Sequence, residues 1–151
     1  MKYPLLLLAC LSLTGFTTQP LDERAAQSSL PQSPDKLWDN LAEADINSNL
    51  ETGVISAKMP DSIKAMAGKP LKISGFMMPL EAEEKFTHFL LSRRTPTCAY
   101  CPPGEPDELI EVFSTKATEW DEGLVTYEGT LELINNQDMG LFYRLNQAEK
   151  K

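Results

Sequence analysis

Two hydrophobic periods divide this chain, and the change falls near Leu71. Before it, in SPDKLWDNLAEADIN (33–47), Leu37, Leu41 and Ala44 recur at helical spacing with Trp38 and Ala42 beside them. That pattern predicts an amphipathic helix packed on a sheet. Ser33 reads as its N-cap, Pro34 as its first helical residue and Asp35 as an acid in its first turn. A second, shorter helix is predicted from Pro60 to Ala67, where Ile63, Met66 and Ala67 cluster and Gly68 stops the run. From Leu71 onward the period is two. In LKISGFMM, Leu71, Ile73 and Met77 alternate with Lys72, Ser74 and Phe76, and Gly75 marks a bulge or sharp bend. KFTHFLLS, ELIEVFST, VTYEGTLELI and GLFYRL supply four more strands, with Val125, Tyr127, Leu131 and Leu133 facing one way in the third of these.

Five short strands after one or two N-terminal helices predict an α+β, mainly β domain: a small curved antiparallel five-stranded sheet or an OB-like barrel. The globular part is expected over residues 33–147, with a polar tail at 148–151. Residues 20–32 are rich in Gln, Ser and Pro without an apolar period, and read as a flexible tether. Residues 1–19 read as a signal peptide: one cation at Lys2, then an apolar run from Leu5 to Phe16 that is too short to span a bilayer. Cleavage is expected near Gly15 to Gln19, giving a protein of the periplasm that is not an integral membrane protein. LLAC, ending at Cys10, offers the alternative of a lipoprotein acylated on that cysteine.

Charge removes one class of partner. Against 14 Lys+Arg stand 22 Asp+Glu, a net charge of -8 with no basic block, so nucleic acid is not an expected partner. The carboxylate runs EAEEK and EWDEG read as solvated turns, and Met66, Met77 and Met78 as core filler.

The candidate chemistry sits in TCAYCPPGEPDELIEVF (97–113). After export, Cys98 and Cys101 are the two remaining cysteines, in a compartment that favours disulfides. A thioredoxin-like dithiol places its cysteines at a helix N-terminus, which Pro102 and Pro103 oppose. Enzyme activity therefore ranks last, a thiol oxidoreductase being its least distant form. Two readings stay open. Zinc or Cu(I) held by Cys98 and Cys101 needs further ligands. His88, the chain's single histidine, is a candidate if a hairpin turning around Arg94 lays it opposite Tyr100, and Glu105 and Asp107 are candidate oxygen donors. The other reading is a local disulfide, with His88 a rim or core residue.

A resemblance bears on the same segment. The run AGKPLKISGFMMPLEAEEKFTHFLLSRRTPTCAYCPPGEPDELIEVF resembles the exported bacterial proteins of the domain-of-unknown-function 3299 family. Its markers here are Gly75 to Leu80, Phe89 to Leu91, Cys98 with Pro102 and Pro103, and the strand Ile110 to Val112. Members often carry C-x-H before the prolines; this chain has Tyr100 in that place and Cys101 one residue later. The resemblance implies an envelope setting, often beside ABC-type transport systems, some of them linked to metal supply. Two functions are thus expected to compete: a metal-handling accessory of an envelope transporter, using Cys98, Cys101 and His88, and a non-catalytic interaction module whose C-x-x-C is a structural disulfide.

Overall fold

The computed structural model describes residues 29–49, 51–96 and 104–151. These residues form two short helices, α1 (Leu37–Leu41) and α2 (Asp61–Lys64), and the strands β1 (Asp45–Asn49), β2 (Val54–Lys58), β3 (Pro70–Pro79), β4 (Phe86–Ser92), β5 (Leu109–Thr118), β6 (Leu124–Asn136) and β7 (Leu141–Lys150). Strands β3 to β7 close a barrel in the order β3-β4-β5-β7-β6, while β1 and β2 make a separate hairpin. The barrel pairs are antiparallel except β5 with β7, which run parallel. The expectation of a wholly antiparallel sheet is corrected there. β7 returns from β6 and pairs beyond it with β5, and this last pairing closes the ring and removes the free edges that an open sheet would expose.

Gly75 lets one strand serve two partners. The first part of β3 pairs with β6, from Pro70↔Thr130 to Phe76↔Leu124, and its end pairs with β4, from Phe76↔Ser92 to Pro79↔Phe89. A Cβ on Gly75 would lie 2.7 Å from the Ser92 carbonyl oxygen and 2.8 Å from Leu91 Cγ, so the close approach of β4 admits only glycine here, while the β3–β6 register passes through Gly75 without the expected bulge.

Alternation along the strands builds the core. Ile73, Phe89, Tyr127, Leu131, Tyr143 and Leu145 are fully buried in the main cluster, joined by Trp38 and Leu41 of α1 and Ile63 of α2. Met77 lies in that cluster and Met66 packs against it. Met78, Leu90, Leu109 and Leu141 occupy a second cluster, in which Met78, Leu90 and Leu109 each sit one residue out of phase with a member of the first. The three methionines read as core filler thus pack as such.

The helices are shorter than the sequence predicts, for a local reason. Ser33 does not cap a helix; its hydroxyl donates to the Ser74 carbonyl at 2.7 Å. Asp35 accepts the Ser74 N–H with one oxygen at 2.9 Å and the Leu37 N–H with the other at 3.0 Å. The Trp38 indole N–H also reaches the Ser74 carbonyl, at 2.8 Å. These side chains latch the segment onto β3, and the helical turn begins only at Leu37. Tyr143 holds its other end, donating its hydroxyl to the Leu41 carbonyl at 2.8 Å within the core.

The chain ends also differ from expectation. Residues 148–150, expected as a polar tail, continue β7: Ala148 is fully buried and Lys150 pairs with Tyr127. The tether gives way to fixed structure by Pro31, whose carbonyl accepts the Thr95 N–H at 2.9 Å, and Gln32 bridges Arg94. The signal peptide, Cys10 and most of the tether lie outside the described residues. No helix among the described residues is long and apolar enough to cross a membrane.

Candidate functional site

Cys98 and Cys101 fall in 97–103, outside the described residues, but both feet of that segment are in view. β4 ends at Ser92 and β5 begins at Leu109, and these two residues are register partners. Just beyond them the Arg93 N–H donates to the Glu108 carbonyl at 2.9 Å, extending the ladder to the base of the connection. On the outgoing side, Thr95 donates both its backbone N–H and its hydroxyl to the Pro31 carbonyl, at 2.9 and 3.0 Å. On the returning side, a single 3-10 turn over Pro106–Glu108 brings the Glu108 N–H to the Glu105 carbonyl at 2.9 Å.

A charged clamp ties the two feet together. Arg94 grips Glu108 with two parallel bonds, Nε to Oε2 at 2.6 Å and Nη2 to Oε1 at 2.8 Å, the fork geometry that suits guanidinium and carboxylate. The Glu108 side chain is only 8% exposed and that of Arg94 17%. Hydrogen bonding to Glu108 holds the Arg94 guanidinium above its already high ordinary pKa, against the opposing effect of burial. Arg93 donates to Asp39 in the helix at 2.6 Å, and its Nη1 also lies 3.9 Å from Glu108 Oε1. Gly104 makes the close approach of the returning foot possible: its φ is +93°, and a Cβ there would run into the Glu108 carboxylate. Asp107, beside Glu108, has an oxygen (Oδ1) that is buried without a hydrogen-bond partner among the described residues. Burial pushes its pKa above the ordinary carboxylate value, partly opposed by its own backbone N–H.

His88 stands elsewhere. The hairpin does not turn around Arg94; the connection takes in residues 93–108, and the register sets His88 opposite Phe113 rather than Tyr100. Its ring stacks on Phe113 with centroids 4.3 Å apart and planes 9° from parallel. Nε2 lies 2.9 Å from Oε1 of the buried Glu111, whose other oxygen accepts from Arg144 Nε at 2.8 Å. Arg144 also covers the Phe113 ring, 5.2 Å from its centroid. The histidine is thus engaged in a cross-strand cluster on β4, β5 and β7. Glu105 and Asp107 do lie at the foot of the cysteine segment, as their positions in the sequence suggest. Among the described residues no group of three or more His, Cys, Asp or Glu is arranged to hold a metal ion.

Sequence reasoning missed the clamp. Arg93-Arg94 before the cysteines and Glu108 after them are visible as charges, but only the Ser92↔Leu109 register shows that they meet. EAEEK is exposed throughout, as expected of a solvated turn. EWDEG carries Trp120, whose indole N–H reaches the Met77 carbonyl at 3.3 Å.

A closed five-stranded barrel in the order β3-β4-β5-β7-β6, with its one parallel pair between the third and fifth barrel strands, has the arrangement of an OB-type Greek-key barrel. The chain belongs to the family described as protein of unknown function (DUF3299), whose model matches residues 18–148. It is similar to the crystal structure of a DUF3299 family protein from Pseudomonas aeruginosa PAO1. That similarity has 25% sequence identity and a TM-score of 0.51, covering 80% of this chain and 83% of that one. No curated protein matches the chain.

Proposed function

We propose that this protein is a binding module of the bacterial envelope whose working element is the segment 97–103, with Cys98 and Cys101 joined as a disulfide that fixes its shape. The observation that carries this reading is the Arg94–Glu108 clamp at 2.6 and 2.8 Å. A buried ion pair is a poor source of net stability, because desolvation offsets most of its Coulombic gain, whereas its geometry defines one arrangement of the groups it joins. Placed at the foot of a connection, it preorganises what the connection presents, and preorganisation lowers the entropic cost of binding. Export by residues 1–19 places the module in the periplasm, and a component of an envelope transporter is the partner class that the family's setting suggests.

A second reading uses the same two cysteines as thiolates for Zn²⁺ or Cu(I). It draws on Asp107, whose buried, unpaired oxygen lies at the foot of the segment. His88 supports it less, since Nε2 is already engaged by Glu111.

Metal analysis with thiol counting, on protein isolated from the envelope fraction, separates the two. The module reading expects no free thiol at Cys98 or Cys101, no stoichiometric metal, and no uptake of Zn²⁺ or Cu(I) after reduction. Two free thiols with one metal ion per chain would overturn it in favour of metal handling.

A further inference from the structure

Three successive residues of the connection between β5 and β6 are each tied to a different part of the barrel. Glu119 pairs with Lys85, the residue before β4, at 3.2 Å, and Asp121 accepts from Lys150 of β7 at 3.0 Å. Between them, Trp120 donates its indole N–H to the Met77 carbonyl of β3 at 3.3 Å. The other oxygen of Asp121 accepts the Gly123 N–H at 2.9 Å and closes the turn. Trp120 is thus held from its ring nitrogen and from both neighbours, yet it stays 44% exposed.

Its ring lines a groove of about 380 Å³ together with Lys85, Thr118, Glu119, Asp121 and Lys150. A single exposed apolar side chain is ordinary on a protein surface and by itself points to nothing. Trp120 differs in two respects. Its plane is fixed before any ligand arrives, and the walls around it are polar rather than apolar. Charge narrows the choice further. The two lysines of the groove are paired with its two carboxylates, so the lining is balanced and favours a neutral ligand. A nucleotide would also stack on the indole, but its phosphate needs cations that are not already paired. A wholly apolar ring would cover the polar walls without giving them hydrogen bonds.

The geometry points to a binding site for a neutral sugar ring, stacked by its C–H face on the Trp120 indole with its hydroxyls against the groove walls. A pyranose with equatorial hydroxyls has this two-sided character: its faces carry C–H groups and its rim carries oxygens. Each hydroxyl both donates and accepts, and the walls offer both partners. Carboxylate oxygens of Glu119 and Asp121 accept, and the ammonium groups of Lys85 and Lys150 donate. Because the tryptophan is already held, stacking on it costs little side-chain ordering. The site follows the far end of β5 from the cysteine segment and stands whatever the redox state of Cys98 and Cys101.

The test is an NMR titration of the full chain with cellobiose and with N,N′-diacetylchitobiose, two disaccharides of equatorial rings. Sorbitol serves as a polyol without a ring face, and adenosine monophosphate as a charged ligand that stacks. Saturable shifts are expected with at least one disaccharide at the Trp120 indole N–H and at the amides of 117–121, and none with sorbitol or the nucleotide. The indole N–H of Trp38, fully buried and bonded to the Ser74 carbonyl, is the internal reference and should not move. Trp120→Leu keeps an apolar side chain without a flat face and should weaken binding by about tenfold, the scale of one lost stacking contact. Trp120→Phe keeps a ring and should lose less. Absence of saturable shifts with both disaccharides in the wild-type protein, equal shifts with sorbitol, or tighter binding of the nucleotide would overturn the proposal. So would unchanged affinity in a folded Trp120→Leu protein.

Discussion

Arg94 and Glu108 meet through two parallel hydrogen bonds of 2.6 and 2.8 Å across the foot of the segment that carries both candidate cysteines. Glu108→Ala removes the carboxylate that both guanidinium bonds reach, and it should destabilise the fold by about 1–3 kcal/mol in urea denaturation, the range for a lost partner of a largely buried polar group. The double variant Arg94→Met, Glu108→Leu replaces the pair by apolar side chains and should recover most of that loss. If the clamp shapes the connection, limited proteolysis should cut between residues 93 and 108 faster in the double variant than in the wild type. Equal cutting rates at equal stability would show that the clamp does not fix the segment.

Gly104 makes a sharper test of the same foot. Its φ of +93° is strained for any other L-residue, and an added Cβ would strike the Glu108 carboxylate. Gly104→Ala should therefore cost about 1–3 kcal/mol from backbone strain, and more where the clamp is displaced. Combining Gly104→Ala with Glu108→Ala should give less than the sum of the two single losses, because the second change removes the group that the first one hits. Strict additivity would mean that the methyl group and the carboxylate do not compete for space.

The barrel was legible because its strands keep a period of two wherever one face is buried. Ile73 and Met77 in β3, and Val125, Tyr127 and Leu131 in β6, are all in the core that the alternation predicts. The β1–β2 hairpin left no such trace: none of the side chains of DINSN and VISAK is buried, so no buried face imposes a period. The parallel β5–β7 pair was not legible either, since alternation tells which face a strand buries and not which neighbour it takes. The same limit hid the site. His88 was read against Tyr100 by assuming a tight turn, and a connection over 93–108 moved its register partner to Phe113. Charges in the sequence identify Arg94 and Glu108 as ionic, while only the fold makes them a pair.

His88 offers a direct test between the two readings of the cysteines. Its stacking on Phe113 and its contact with Glu111 describe a structural role. His88→Ala should lower stability by roughly 0.5–1.5 kcal/mol, the scale of a lost aromatic pair. It should not alter the thiol count or any metal uptake at Cys98 and Cys101. A variant that keeps its fold but loses Zn²⁺ or Cu(I) binding would return His88 to the ligand set and overturn the assignment made from the register.

Asp107 should respond to pH in the sense opposite to a salt-bridged carboxylate. Burial raises its pKa above the ordinary value, so ionising it costs more in the folded chain than in the unfolded one. The penalty is present at neutral pH and fades as pH falls through the raised folded value; below the unfolded value as well, the group is neutral in both states and the penalty is gone. Asp107→Asn keeps the shape and removes the charge. It should raise the thermal midpoint at pH 7, and the gain over wild type should shrink steadily on acidification. Arg93 opposes the shift, while Glu105 and Glu108 reinforce it, and burial outweighs all three. Thermal denaturation of both proteins between about pH 3 and pH 7 spans the range in which a carboxylate raised from its usual pKa near 4 titrates. An Asn variant less stable than wild type at pH 7 would mean that the Asp107 charge has a partner in the folded protein, and the unpaired oxygen would lose its place in the metal-handling reading.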